Sequence, residues 1–204
     1  TGDGVMVHFK EEGWKEVKVG AVYQVDEKRK AKDMVYAATL ENWERFGDEL
    51  YTLAGEPDAN ETASMTFVSD ASRWLSDLQE LLFPLATRIV DFWHVTEYIW
   101  DVANSVYEEG TVKAKKWAHE KVKQLKEGKQ ELIQKSLSHI KPKTKKQREV
   151  LEAAQTYFTN HGHEMDYHRY EEMGLHIGSG IAESSCKHVI QSRFKRSGMR
   201  WSRK

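Results

Sequence analysis

Three carboxylates stand out by position. Asp3 opens an alternating run, DGVMVHF (3–9), on the same face as Val5, Val7 and Phe9. Asp70 closes a short apolar run, SMTFVSD (64–70), at the carboxyl end of a strand, where open α/β sheets bind ligands. Glu183 stands in the first turn of a basic amphipathic pattern that begins just after GSG (178–180). The gaps of 67 and 113 residues put the three on separate elements, so only the fold can unite them. Hard divalent ions such as Mg²⁺ take carboxylate oxygens. Two such ions about 3.5–4 Å apart activate a nucleophile and stabilise a leaving oxygen in phosphoryl transfer. Each acid also has a plainer reading. An Asp at a strand end caps a turn, and a Glu in a first helical turn suits the helix dipole. Spacing alone leaves both readings open.

Other reactive residue types form no comparable pattern. His161, His163, His168 and His176 lie close in sequence, but no Cys-x-x-Cys accompanies them and their spacing fits no zinc site. They read as ordinary surface or core histidines. Cys186 is the single cysteine, so no internal disulfide can form, and a reducing cytosol is the simpler reading. The GSG stretch lacks the strand–GxxxxGK[ST] context of a phosphate loop. Ser69 and Ser179 have no supporting base.

The elements that must position the acids follow from periodicity. DGVMVHF and WKEVKVGAVYQV (14–25) alternate and are separated by EEG, which predicts a β-hairpin. DMVYAAT (33–39) predicts a third strand. Residues 40–55 carry Leu40, Trp43, Phe46, Leu50 and Leu53 at helical spacing. A strand over 64–70, a helix over 71–83 and a buried strand over 86–95 follow. The order β-β-β-α-β-α-β predicts a mixed α/β sheet. From about Thr96 to Glu172 the texture changes to Lys, Glu and Gln, and predicts helices interrupted at KPKTKKQ (141–147) by Pro142. A last helix is expected from Ile181. It sets Ala182, Cys186, Val189, Ile190 and Phe194 on one side and Lys187, Gln191 and Lys195 toward the other, with Glu183 at the seam.

The 204 residues suffice for one sizeable core or two small ones, and a mean hydropathy of -0.72 reads as globular. No apolar run approaches the ~18 residues of a membrane span. The net charge of -1 hides an asymmetry. Residues 1–110 hold 10 Lys+Arg against 22 Asp+Glu, whereas residues 111–204 hold 21 against 10. The basic half points to a polyanion partner or to a solvated lysine-rich face. The chain begins at Thr1 and enters a strand almost at once, as a fragment with a domain upstream would.

Three segments together resemble a known family. DGVMVHF…WKEVKVGAVY, FVSDASRWL…TRIVDFWHVTEYI and GLHIGSGIAESSCKHVIQSRFKRSGMRWS are similar to the ISKra4-type insertion-sequence transposases, bacterial DDE enzymes distantly akin to the Mutator-like group. The resemblance implies an RNase H-like α/β domain over 1–95 and 176–204, interrupted by an all-helical insertion over 96–175, with a DNA-binding domain upstream of this chain. It implies Asp3, Asp70 and Glu183 as catalytic ligands of two Mg²⁺ ions, with Mn²⁺ able to substitute. Asp91 and His94 match an auxiliary Asp-x-x-His motif, and Asp91 competes with Asp70 for the second position. Trp201 matches an aromatic near a distorted base, or else caps the core. Lys187, Arg193, Lys195 and Arg196 are expected on backbone phosphates of double-stranded DNA, with the lysine-rich stretch 113–148 extending that surface. A homodimer on paired transposon ends and a bacterial cytoplasmic, nucleoid-associated location are implied as well. Two alternatives stay open: a non-catalytic DNA-binding remnant, and an RNase H-like nuclease that cuts without joining.

Overall fold

The computed structural model describes residues 1–58, 61, 64–180, 190, 192–194 and 201–202. The architecture is mixed α/β with small sheets. The chain divides into two compact units, Thr1–Arg88 with Gly178–Lys204, and Ile89–Ile177.

In the first unit the alternating runs become β1 (Gly2–Phe9), β2 (Gly13–Val25) and β3 (Ala31–Thr39), an antiparallel sheet in the order β1-β2-β3. The hairpin turns at Gly13, whose φ of +71° is the left-handed backbone that glycine tolerates best. Register sets Asp3 opposite Val19, Val5 opposite Val17 and Gly2 opposite Gly20. Helix α1 (Trp43–Leu53) starts at Asn42, whose side chain accepts from Arg45 N at 3.0 Å. Next come β4 (Thr66–Ser69), α2 (Arg73–Leu82) and β5 (Thr87–Val90), and the division between units falls within β5. β4 and β5 form a second, two-stranded sheet, which β1 touches at β4 without pairing to it.

Alternation gives the β1-β2-β3 sheet two apolar faces. On one, Ala37 joins Phe46, Leu50, Leu75 and Leu78 from α1 and α2. The helices come so close that a Cβ on Gly20 would stand 2.8 Å from Phe46 Cζ and 2.9 Å from Leu50 Cδ2. On the other, Val5, Val7, Phe9, Val17 and Val19 pack with Ile190, and Phe194 and Trp201 cover them. Each fully buried Val, Leu, Ile or Phe contributes about 1.5–3 kcal/mol to holding these layers together.

The second unit is helical: α3 (Phe92–Tyr107), α4 (Val112–Lys126), α5 (Gln130–His139), α6 (Lys145–His161), a 3-10 turn (Gly162–Glu164) and α7 (Tyr167–Glu172). Val95, Ile99, Val102 and Ala103 form the buried stripe of α3, and Leu151, Ala154 and Phe158 that of α6. α3 packs on both α4 and α6, and α5 on the same two helices. The hydroxyl of fully buried Tyr167 donates to Val90 O at 2.9 Å. Among the described residues, no helix is long and apolar enough to cross a membrane.

One expectation is corrected. The strand expected over 86–95 ends at Val90, and α3 starts at Phe92. The Asp91 carboxylate accepts from Trp93 N at 2.6 Å and His94 N at 2.9 Å, an N-cap that turns the chain out of the strand. From there Phe92, Val95, Thr96 and Ile99 are buried at helical spacing, which overrides the alternation of TRIV. The break around Pro142 is confined to 140–144, between α5 and α6. Of the expected terminal helix, Ser192–Phe194 is helical and 181–189 lie outside the described residues.

Candidate functional site

In the first unit, Asp3 sits on β1 and Asp70 directly follows β4. Two packing contacts set α2 against the hairpin, on the sheet face opposite to that of Asp3. A Cβ on Gly2, beside Asp3, would stand 2.8 Å from Leu75 Cδ2 on α2. Lys18, paired across the hairpin with Gly4, holds Nζ 5.7 Å from the centroid of the Trp74 ring, also on α2. α2 is entered through the turn Asp70–Ser72, and β1 touches β4, so both acids belong to this unit. Both carboxylates are half-buried and oriented by backbone: Gly4 N donates to Asp3 Oδ1 at 2.6 Å, and Ser72 N to Asp70 Oδ1 at 2.8 Å. Between Asp70 and α2, Ala71 adopts φ +61°. A non-glycine residue there costs about 1–3 kcal/mol, and such strain concentrates where a turn must aim a side chain.

Asp3 shares its sheet face with Val5, the face covered by Ile190, Phe194 and Trp201. Trp201 is fixed there by several contacts. It bridges to Phe9, its carbonyl accepts from Lys10 N at 2.9 Å, and its indole N–H donates to Phe194 O at 3.0 Å. Its ring packs 4.7 Å from that of Phe194, so it caps this core. Glu183, Lys187, Lys195 and Arg196 lie outside the described residues, as does the side chain of Arg193.

In the second unit, Asp91 is buried at the head of α3, whereas Trp93 is 60% exposed. His94 Nδ1 lies 3.2 Å from Glu97 Oε2. Its ring meets Tyr98 and Tyr157 edge-on, and those two stack at 4.2 Å. Burial pushes the Tyr167 hydroxyl well above its ordinary pKa, and the nearby Tyr157 and Asp91 add to that. Two of the histidines that read as ordinary surround a buried carboxylate: Glu164 lies 3.2 Å from His161 Nδ1 and 3.4 Å from His163 Nε2. The spacing His161-x-x-Glu164 was the available signal, but nothing in it distinguishes a buried pair from an exposed one. The Asp91 cap was missed in the sequence; the available signal was an Asp preceding a 3.6-residue period.

Among the described residues no group of three or more His, Cys, Asp or Glu side chains could hold a metal ion. Asp3 and Asp70 are the two of the three expected carboxylates that lie among the described residues. No known protein family matches the chain, no curated protein matches it, and no solved structure matches it.

Proposed function

We propose that this chain is the catalytic part of a DDE-type DNA transposase with an RNase H-like domain, acting on double-stranded DNA of the bacterial nucleoid. One observation carries the reading: Asp3 on β1 and Asp70 at the end of β4 lie in one unit on strands that touch, each carboxylate held by a backbone N–H. Further support comes from strand order. β3-β2-β1 form one antiparallel sheet and β4-β5 a second that touches β1, an arrangement compatible with the expected mixed sheet. The helical unit follows β5, and the chain re-enters the first unit at Gly178, as an insertion would.

The donors available are carboxylate oxygens, which suit Mg²⁺ or Mn²⁺ rather than a softer metal. Asp3 and Asp70 would hold two such ions with Glu183. The ions, when bound, lower the pKa of an attacking hydroxyl and neutralise a leaving oxygen. The protein fixes its carboxylates through the backbone N–H groups of Gly4 and Ser72, so that little reorganisation is needed when DNA arrives. In the first step a water oxygen bonds to phosphorus, the bond from phosphorus to the 3′ oxygen breaks, and that oxygen leaves as a 3′-OH. In the second step this 3′-OH attacks a target phosphodiester and displaces another 3′ oxygen. A homodimer would pair two DNA ends.

The test is Mn²⁺-dependent nicking of supercoiled plasmid, with joining of a 3′-OH oligonucleotide as second readout. Asp3→Ala, Asp70→Ala and Glu183→Ala should each lower nicking by about 10²–10³-fold, the scale for groups that stabilise developing charge. Nicking undiminished in Asp3→Ala and Asp70→Ala overturns the proposal. Nicking without joining would make the chain a nuclease instead.

A further inference from the structure

The lysines of the helical unit are not alike. Along α4 and just beyond it, Lys121, Lys123, Lys126 and Lys129 are tied to Glu120, Glu127, Glu171 and Glu127. The starts of α4 and α6 are different. α4 opens with Lys113, Lys115 and Lys116, all exposed. The approach and first turn of α6, KPKTKKQR (141–148), hold five cations and no carboxylate, and every one of the five is exposed.

Both starts lie at one end of the unit, the carboxyl end of α3. Lys113 Nζ sits 4.9 Å from the centroid of the Tyr107 ring, and Gln147 Nε2 donates to Ser105 O at 2.9 Å. Among the described residues, the ion pair at this end is Lys145 with Glu149 at 3.6 Å. Among the described residues, Glu108 and Glu109 share the end without an ion pair to its cations, so the lysines outnumber the acids around them.

Apart from Lys113 and Lys145, these cations have no evident part in holding the helix starts. The first turns of both helices are already capped by Thr111 and Thr144, which accept from Ala114 N and Gln147 N. A positive side chain in a first turn opposes the helix dipole. A group of cations held against local stability, exposed and mostly unneutralised, has the character of a surface shaped for a polyanion.

We propose that this end of the helical unit holds the phosphates of duplex DNA without reading its sequence, through Lys115, Lys116, Lys141, Lys143, Lys146 and Arg148. Lysine dominates the group, and a lysine is a flexible point charge suited to phosphate contact rather than bidentate base recognition. Among the described residues, the exposed large apolar side chain here is Val112, whereas the rings of Tyr107 and Trp117 are half-buried and pack with each other rather than stand open to bases. DNA as the polyanion rests on the proposed function; the surface itself does not. The DNA contact expected over all of 113–148 is thereby narrowed to two helix starts.

The test is fluorescence anisotropy of the whole chain on a mixed-sequence 30-base-pair DNA, titrated across NaCl concentrations. Each phosphate contact adds about 0.9 to the slope of log K against log salt. Lys141→Gln with Lys143→Gln, Lys146→Gln and Arg148→Gln should lower that slope by roughly 2–4 and weaken binding at least about tenfold at low salt. Lys123→Gln with Lys126→Gln should leave both unchanged. An unchanged slope in the fourfold variant overturns the proposal, as does an equal loss in the control pair. Stronger competition by an RNA of the same length than by the DNA overturns it in favour of an RNA surface. Circular dichroism guards against misfolding, and removal of first-turn cations should leave Tm unchanged or raised. Binding that depends on this surface in a chain that never nicks DNA would sink the proposed catalysis and leave the surface standing.

Discussion

A single backbone angle marks the candidate centre. Ala71 follows Asp70 in the left-handed region at φ +61°, where its Cβ crowds the carbonyl. Ala71→Gly should therefore raise stability, by about 1 kcal/mol, despite the greater freedom glycine has in the unfolded chain. Urea denaturation checks this, and a loss of stability would remove strain from the account of this turn. If the strain serves to aim Asp70, the same variant should nick DNA more slowly while folding better. Asp3 was legible in the sequence because alternation fixed its face. Asp70 was legible because an apolar run ended on it. The strain between Asp70 and α2 was not, since alanine is an ordinary residue in almost any backbone setting.

At the scale of elements, the head of α3 shows how a motif and a cap can coincide. Asp91 was read as a strand end and an auxiliary to catalysis, and it is also the N-cap of a helix that begins one residue later. Asp91→Ala should cost about 0.5–2 kcal/mol in thermal or urea unfolding, whereas Asp91→Asn should cost only a few tenths, because Asn caps as well as Asp. Equal losses in both variants would mean that the charge, not the cap, stabilises this helix. Asp91→Asn thus separates a structural duty from any part in catalysis. The strands and helices themselves were largely legible, because periods of 2 and 3.6 survive in both units. The strand-to-helix switch at Val90 was hidden because Ile89, Val90, Phe92, Trp93 and Val95 crowd this stretch, and so dense an apolar run fits either a buried strand or a buried helix.

For the molecule as a whole, charge and pH supply the tests. The acidic first half and basic second half were plain from composition, but composition could not tell paired lysines from unpaired ones. That distinction depends on which helices neighbour one another. Stability at high pH turns on Tyr167, which ties α7 to the end of β5 within the helical unit. Burial raises its pKa above the ordinary 10.0, so its contribution is fully present below pH 10. The contribution is then lost as pH rises from 10 through the raised folded value. Tyr167→Phe should cost about 0.5–1.5 kcal/mol at neutral pH and make the decline above pH 10 shallower. Tyr170, also raised by burial, keeps some of the slope. An unaltered alkaline decline in Tyr167→Phe would show that other groups govern it.

The cover over Val5, Val7 and Phe9 has a consequence for how the protein is made. Those residues leave the ribosome among the first of this stretch, yet Ile190, Phe194 and Trp201 that shelter them emerge last. The helical unit closes on neighbours near in sequence and can finish while synthesis continues. The sheet must wait with one greasy side bare until the very end of the stretch arrives, and closing so long a loop is slow. During that interval the nascent sheet is the part most in need of a chaperone.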